Sequence, residues 1–245
     1  MNPLHPIVDS DYEAMSRRAA DFIVEQMRSK PDLLMCVATG SSPKRAYEFL
    51  AEKRRDDPRL FERLRVLKLD EWGGLPPDHP GTCETYVRRL LIEPLGVSSE
   101  RYLTFRGDAA DSSAECERVR EMLGLHGPID LFVLGLGLNG HLGMNEPADE
   151  LTPGPHVAPL SEETAQHSMI RNANPPVRFG LTLGMGDLLR ARRILLLVNG
   201  AAKRAALRRL MSGRVTTQFP ASLLWLHGGV TCFCDREAAD GLNIP

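Results

Sequence analysis

Residues 129–147 read Ile129-Asp-Leu-Phe-Val-Leu134-Gly135-Leu-Gly137-Leu-Asn139-Gly140-His141-Leu-Gly143-Met-Asn145-Glu146-Pro147. Ile129 to Leu134 is an apolar run of buried-strand length. Four glycines in the next nine residues (Gly135, Gly137, Gly140, Gly143) let the backbone turn sharply and approach a ligand. Among them stand His141, Asn145 and Glu146, groups that move protons or hydrogen-bond. A polar, glycine-rich turn at the carboxyl end of a strand is where open α/β sheets bind ligands. Turn geometry alone would account for Gly135 and Gly137, but not for a His, an Asn and a Glu within six residues.

The same stretch matches the dinucleotide fingerprint as Gly135-x-Gly137-x-x-Gly140. That fingerprint needs a helix starting at the glycines and an acidic residue about 20 positions on, at the end of a second strand. Pro147 blocks a helix soon after it could begin. Only Glu162 and Glu163 stand at the required distance, after the polar, proline-broken segment Thr152 to Pro159 rather than after a strand. No nucleotide is therefore expected.

Outward from this turn, helical and strand patterns alternate. Asp11 to Ser29 is amphipathic, with Ala19, Phe22, Ile23 and Met27 on one face. Leu33 to Ala38 reads as a strand, and Pro43 to Arg55 as a helix with Ser42 as N-cap and Pro43 at the first position. Leu64 to Leu69 is a strand, 73–81 a Gly- and Pro-rich loop, and Thr82 to Ile92 and Ala110 to Leu123 are helices. After Pro159 come a short helix, strands near Phe179 to Leu183 and at Ile194 to Val198, a helix from Ala201 to Met211, and a last strand near Val230 to Phe233. This alternation predicts an α/β fold: one doubly wound, mostly parallel, Rossmann-like sheet with helices on both faces, spanning residues 1–245 as a single domain.

The 245 residues suffice for one large core. A net charge of −2 argues against nucleic acid or a membrane surface as partner. No apolar run reaches spanning length, and Met-Asn-Pro-Leu-His-Pro does not open like a signal peptide. Five scattered cysteines without a Cys-x-x-Cys pair fit reduced thiols in a cytoplasmic protein. Cys232 and Cys234 share a strand face, but an i, i+2 pair is held too extended to bridge easily.

Three other places match the glycine turn. Thr39-Gly40-Ser41-Ser42 ends a strand and opens a helix, so its free backbone N–H groups and the positive helix end form an anion site. It lacks the Gly-Lys-[Ser/Thr] ending of a P-loop. Asp70 and Glu71 stand at the carboxyl end of the strand Leu64 to Leu69. Consecutive residues face opposite sides, so at most one of the two points at a ligand and the other is structural, and alternation leaves open which. Lys203 sits in the first turn of its helix on the apolar stripe of Leu207 and Leu210, where a cation opposes the dipole unless an anion is present. Together these residues suggest a small phosphorylated substrate beside a carboxylate and a histidine, a pair suited to proton transfer next to a carbonyl. His141 and Glu146 lack the His-Glu-x-x-His arrangement, and neither a metal nor another cofactor is expected.

Leu69-Asp70-Glu71-Trp72, the following Gly-Leu-Pro-Pro-Asp-His-Pro, and Asn139-Gly140-His141-Leu-Gly-Met-Asn145-Glu146-Pro147 resemble the glucosamine/galactosamine-6-phosphate isomerase (deaminase) family. The likeness covers nearly the whole chain. Lys68-Leu-Asp-Glu-Trp, Pro80-Gly-Thr-Cys-Glu-Thr85 and Pro220-Ala-Ser-Leu-Leu-Trp-Leu-His227 look most like the galactosamine-6-phosphate branch. The resemblance implies ring opening, aldose-to-ketose isomerisation and loss of ammonia, giving tagatose 6-phosphate from galactosamine 6-phosphate; the glucosamine-6-phosphate reaction is the alternative. It implies that Asp70 carries the proton between C2 and C1, that His141 assists ring opening oriented by Glu146, and that Thr39, Gly40, Ser41, Ser42 and Lys203 hold the phosphate. Some members have Asp where Asn139 stands; an Asn cannot be a charged relay, so His141 is expected to lean on Glu146 directly. Some members have a phosphate-binding Arg where Met169 aligns, and Arg171 is the expected substitute. Basic residues of allosteric members are missing at His156 and Ala158, so activation by an acetylated sugar phosphate is not expected. Asn145-Glu146-Pro147 speaks against a 6-phosphogluconolactonase, and a chain with room for one helix before Leu33 speaks against a DNA-binding sugar-phosphate sensor. The expected partner is a small amino sugar phosphate, and the sequence is compatible with a homo-oligomer.

Overall fold

The computed structural model describes residues 4–242. Its strands are β1 (Pro6–Asp9), β2 (Leu34–Val37), β3 (Arg65–Lys68), β4 (Asp70–Trp72), β5 (Tyr102–Leu103), β6 (Leu131–Gly135), β7 (His156–Pro159), β8 (Phe179–Thr182), β9 (Arg193–Val198) and β10 (Val230–Asp235). The α-helices are α1 (Tyr12–Ser29), α2 (Ser41–Asp56), α3 (Cys83–Val87), α4 (Glu93–Leu95), α5 (Ser112–His126), α6 (Glu162–Ala165), α7 (Met185–Leu189), α8 (Arg204–Met211) and α9 (Arg236–Ala239). Seven strands form one parallel sheet in the order β1-β10-β9-β6-β2-β3-β5.

Strand alternation sorts the core into two layers. Met35, Val37, Val66, Leu131, Val133, Leu195 and Leu197 face α1 and α2, meeting Met15, Ile23, Tyr47 and Leu50. Their neighbours Leu34, Cys36, Leu67, Phe132, Leu134, Ile194 and Leu196 face the other way, against Val119, Leu188, Leu207 and Leu210. Both faces are dry, as parallel sheets require, and truncating a fully buried leucine such as Leu196 would cost about 2–5 kcal/mol. Cys232 and Cys234 are buried free thiols.

The expected doubly wound sheet is present, with three local corrections. First, β4, β8 and β7 form a separate antiparallel sheet. The segment expected to be broken by prolines therefore contains a strand, because β7 pairs along its whole length with β8 and leaves its prolines at the ends. Second, α2 begins at Ser41 rather than Pro43: its N-cap is Gly40, and the Ser42 hydroxyl donates to Asn199 Oδ1 at 2.7 Å instead of capping the helix. Third, the helix expected over Thr82 to Ile92 starts on schedule, with Thr82 Oγ1 accepting from Thr85 N–H, but widens into a π-helical turn at Arg88–Ile92.

The chain leaves β2 for β3 on one side and returns, after α5, as β6 on the other. The crevice between β2 and β6 at their carboxyl ends is the topological switch point, where open α/β sheets bind ligands. The turns at 38–42 and 136–143 both empty into it.

Candidate active site

A cavity of about 340 Å³ occupies the switch point, walled by the turns after β2 and β6, by Lys203 and by β4 of the small sheet. One wall is the start of α2. The first amides of a helix have no partner within it, and three tyrosine hydroxyls hold the neighbouring carbonyls: Tyr47 donates to Ala38 O, Tyr86 to Gly40 O and Tyr12 to Ser41 O. Gly40 has φ +107° and nothing within 4 Å of where a Cβ would stand, so conformation rather than space demands glycine there. Thr39, Gly40, Ser41, Ser42 and Lys203 line the same cavity, a helix N-terminus and a cation facing one hollow. Lys203 ends a 3-10 turn (Ala201–Lys203) just before α8, and that turn is set by Gly200 N–H donating to both Asp235 oxygens at 3.0 Å.

The Asp70/Glu71 ambiguity is resolved by a change of sheet. The chain leaves the parallel sheet after Lys68, and Asp70 begins β4, paired with Thr182 of β8. Glu71 is locked into structure: it accepts from Trp72 N–H, Cys83 N–H and Glu84 N–H at 2.8–2.9 Å and from the fully buried Lys68 ammonium. Lys68 also donates to Glu84 at 2.8 Å, and Glu84 in turn accepts from Tyr102, Thr104 and Arg88. Asp70 lines the cavity instead. Its Oδ1 is buried and makes no hydrogen bond, and so is Trp72 Nε1 on the same wall. Burial first, then the charge of Glu71, pushes the Asp70 carboxyl up to about 7, against the pull of Lys68 and a Cys83 thiol hydrogen bond. A carboxylate that exchanges its proton near neutrality is a poised general base and acid.

The glycine turn places His141 opposite. A Cβ on Gly137 would stand 2.5 Å from the His141 ring, so glycine is what lets the ring lie there. No helix starts at these glycines: the turn folds back on itself, with Gly137 N–H donating to His141 O. The dinucleotide arrangement is therefore absent. Asn139 Oδ1 accepts from His141 N–H at 3.0 Å and lies 2.9 Å from His141 Nδ1. With that oxygen fixed as the acceptor, Nδ1 carries the ring proton and Nε2 is the basic atom. Asn139 Nδ2 donates to Glu146 Oε2 at 2.7 Å, while Glu146 stands 3.7 Å from Nδ1. The expected direct pairing of His141 with Glu146 is present at ion-pair distance, and a relay, Glu146 to Asn139 to His141, is added to it because the amide reaches both neighbours. The other Glu146 oxygen accepts from Thr164 and Ser161. Asn145 fixes the turn through donations to Leu142 O and Leu183 O, both at 2.9 Å.

The expected role of Arg171 is not supported. Arg171 is exposed and outside the cavity lining. In its place the segment after α6 presents Thr164, Gln166 and His167. Sequence reasoning missed these because the segment has no periodicity; Trp72, read only as part of the Leu69-Asp70-Glu71-Trp72 motif, also lines the cavity.

The family model for glucosamine-6-phosphate isomerases/6-phosphogluconolactonase matches residues 10–233. The chain belongs to this family of enzymes. It is 41% identical over 236 residues to an Escherichia coli K12 protein named "Putative deaminase AgaI", covering 95% of this chain and 94% of that one. It is 34% identical over 235 residues to a glucosamine-6-phosphate deaminase of Thermoanaerobacter sp. X514, covering 95% and 93%. The structure of a monomeric glucosamine-6-phosphate deaminase superposes with a TM-score of 0.91 at 33% identity, over 96% of this chain and 99% of that one. A 6-phosphogluconolactonase of Trypanosoma cruzi, at 20% identity and a TM-score of 0.81, shares the fold.

Proposed function

We propose that the whole chain, acting as one domain, is a deaminating aldose–ketose isomerase of amino sugar 6-phosphates, and that its substrate is galactosamine 6-phosphate. Water is taken up and ammonia released, leaving tagatose 6-phosphate. The observation that carries this reading is Asp70: a buried carboxylate with an unpartnered oxygen and a proton affinity near neutrality, on the wall of a cavity that also holds a helix N-terminus and a lysine. With the phosphate at residues 39–42 and Lys203, the sugar carbons reach toward Asp70 and His141. His141 Nε2 moves the proton that opens the ring, its charged form supported through Asn139 by Glu146. Asp70 then carries a proton between C2 and C1 of the open sugar, one carboxylate acting as base and acid in turn. The buried, reduced cysteines suit the cytoplasm.

The galacto assignment draws on the sequence blocks around Lys68 and Pro220 and on the 41% likeness to AgaI. Relatives named glucosamine-6-phosphate deaminases at 34–36% identity make the gluco sugar the competing reading. Ammonia release from the two sugars, measured side by side, tests the proposal. A higher kcat/KM for galactosamine 6-phosphate is expected. The reverse preference would assign the gluco reaction, and no ammonia from either would overturn deamination.

A further inference from the structure

Lys203 has a companion across the cavity that neither the sequence motifs nor the family likeness singles out. His167 lines the same cavity and sits on a turn that is built rather than loose. Ser161 Oγ caps α6 by accepting from Thr164 N–H at 3.1 Å, and the Ser161 and Thr164 hydroxyls tie the helix to Glu146. His167 N–H then donates to Thr164 O, continuing the turn. The imidazole is held from two sides. Met169 N–H donates to Nδ1 at 3.3 Å, and the Trp72 indole lies against the ring with centroids 5.8 Å apart and planes tilted by 39°. Nδ1 being an acceptor, the neutral ring carries its proton on Nε2.

Burial, and after it the positive charge of Lys203, lowers the His167 pKa. Two nitrogen donors that repel when both are charged gain from a shared anion, which removes the repulsion and accepts from both. Glu146, to which the Ser161 and Thr164 hydroxyls are tied, also accepts from Asn139. A phosphoryl group supplies free oxygens.

We propose that His167 Nε2 donates to the substrate's phosphoryl group alongside Lys203 and the N-terminus of α2, making the turn after α6 the third wall of the phosphate cradle. This rests on the sugar-phosphate reading above, and two isosteric variants separate it from a structural role. An Asn amide at 167 reproduces the Nδ1 acceptor that caps Met169 N–H but has nothing at the Nε2 position. A Gln amide reaches the Nε2 position with a donor and lacks the cap.

The experiment measures KM and kcat for ammonia release, the dissociation constant of inorganic phosphate by calorimetry, and melting temperature, in wild type, H167N, H167Q and the exposed control R171Q. H167N is expected to weaken both KM and phosphate binding about tenfold, the worth of one hydrogen bond to a charged group. Its kcat should fall less than KM rises. H167Q should recover most of the loss, and R171Q should bind phosphate as wild type does. The opposite pattern, H167N normal and H167Q impaired with a lowered melting temperature, would make His167 a fastening of the turn and overturn the proposal. A raised KM with unchanged phosphate affinity would place His167 on the sugar and overturn it as well. Phosphate binding is read without turnover, so a wild type that binds phosphate but releases no ammonia would fail the proposed reaction and leave this inference standing.

Discussion

Asp130 and Asp70 are buried aspartates at opposite edges of the sheet. At the amino edge, Asp130 is well partnered: it accepts from Leu34 N–H at 2.9 Å and Lys30 Nζ at 2.8 Å, and pairs with the Arg192 guanidinium at 3.1 Å. At the carboxyl edge, Asp70 keeps an oxygen without a partner and titrates near neutrality. Asp130 joins the starts of β2 and β6; Asp70 faces the crevice where the same two strands end. Equal burial thus has opposite consequences. A buried acid supplied with donors and cations fastens the fold, whereas one left short of donors is costly and reactive. The difference lies in the backbone around each: parallel strands present amides at their amino ends, while the switch point opens a hollow at their carboxyl ends.

The sharpest way to break the comparison is Asp70→Asn. Turnover should fall by about a thousandfold or more, since the group that moves the C2 proton is gone, with the far-UV spectrum unchanged. Near wild-type turnover would reduce Asp70 to an unsatisfied structural acid. Stability should move the other way. The native carboxyl at about 7 holds its proton more tightly than an unfolded aspartate at 3.8. Its contribution to stability is therefore full below pH 4 and lost as pH rises through 7. Asp70→Asn should accordingly be more stable than wild type in urea denaturation at pH 8, by on the order of a few kcal/mol, and lose this advantage at pH 4.

Smaller losses of turnover are expected in the relay. Asn139→Ala and Glu146→Gln should each slow the reaction about ten- to a hundredfold, and the double variant hardly more than the worse single, because they serve one imidazole in series. Strictly multiplicative losses in ammonia release would show independent roles and leave Glu146 as an anchor for Ser161 and Thr164 alone.

Glu71→Gln tests whether the neighbouring carboxylate tunes Asp70. Removing its negative charge should lower the proton affinity of Asp70 and shift the acidic limb of the pH–rate profile to lower pH. It also strips a partner from the buried Lys68 ammonium, with a loss of about 3–5 kcal/mol in chemical denaturation. An unshifted limb would mean that burial alone sets the Asp70 value.

The smallest effect on turnover belongs to Asp130→Asn. Ammonia release should match wild type while stability drops by about 1–3 kcal/mol in urea melts, as charge-assisted bonds at the amino edge are lost. A loss of activity without a loss of stability would erase the contrast between the two edges.

Much of this molecule was legible in the chain itself. The alternation of apolar runs and amphipathic stretches specified a doubly wound parallel sheet, because a period of two and a period of 3.6 are local properties of the backbone. Gly40, Gly137 and the polar groups around them marked the crevice, because such turns need glycine wherever they occur. Tertiary structure decided the rest. Which of Asp70 and Glu71 faces the cavity depended on pairing with β8, a strand more than a hundred residues away. That Asn139 bridges His141 and Glu146, that Ser42 turns to Asn199, and that His167 rather than Arg171 reaches the cavity are likewise outcomes of packing between segments distant in sequence. Local patterns carry the conformation of a segment; the partners of a side chain, and with them its charge and reactivity, exist only once distant segments share a surface.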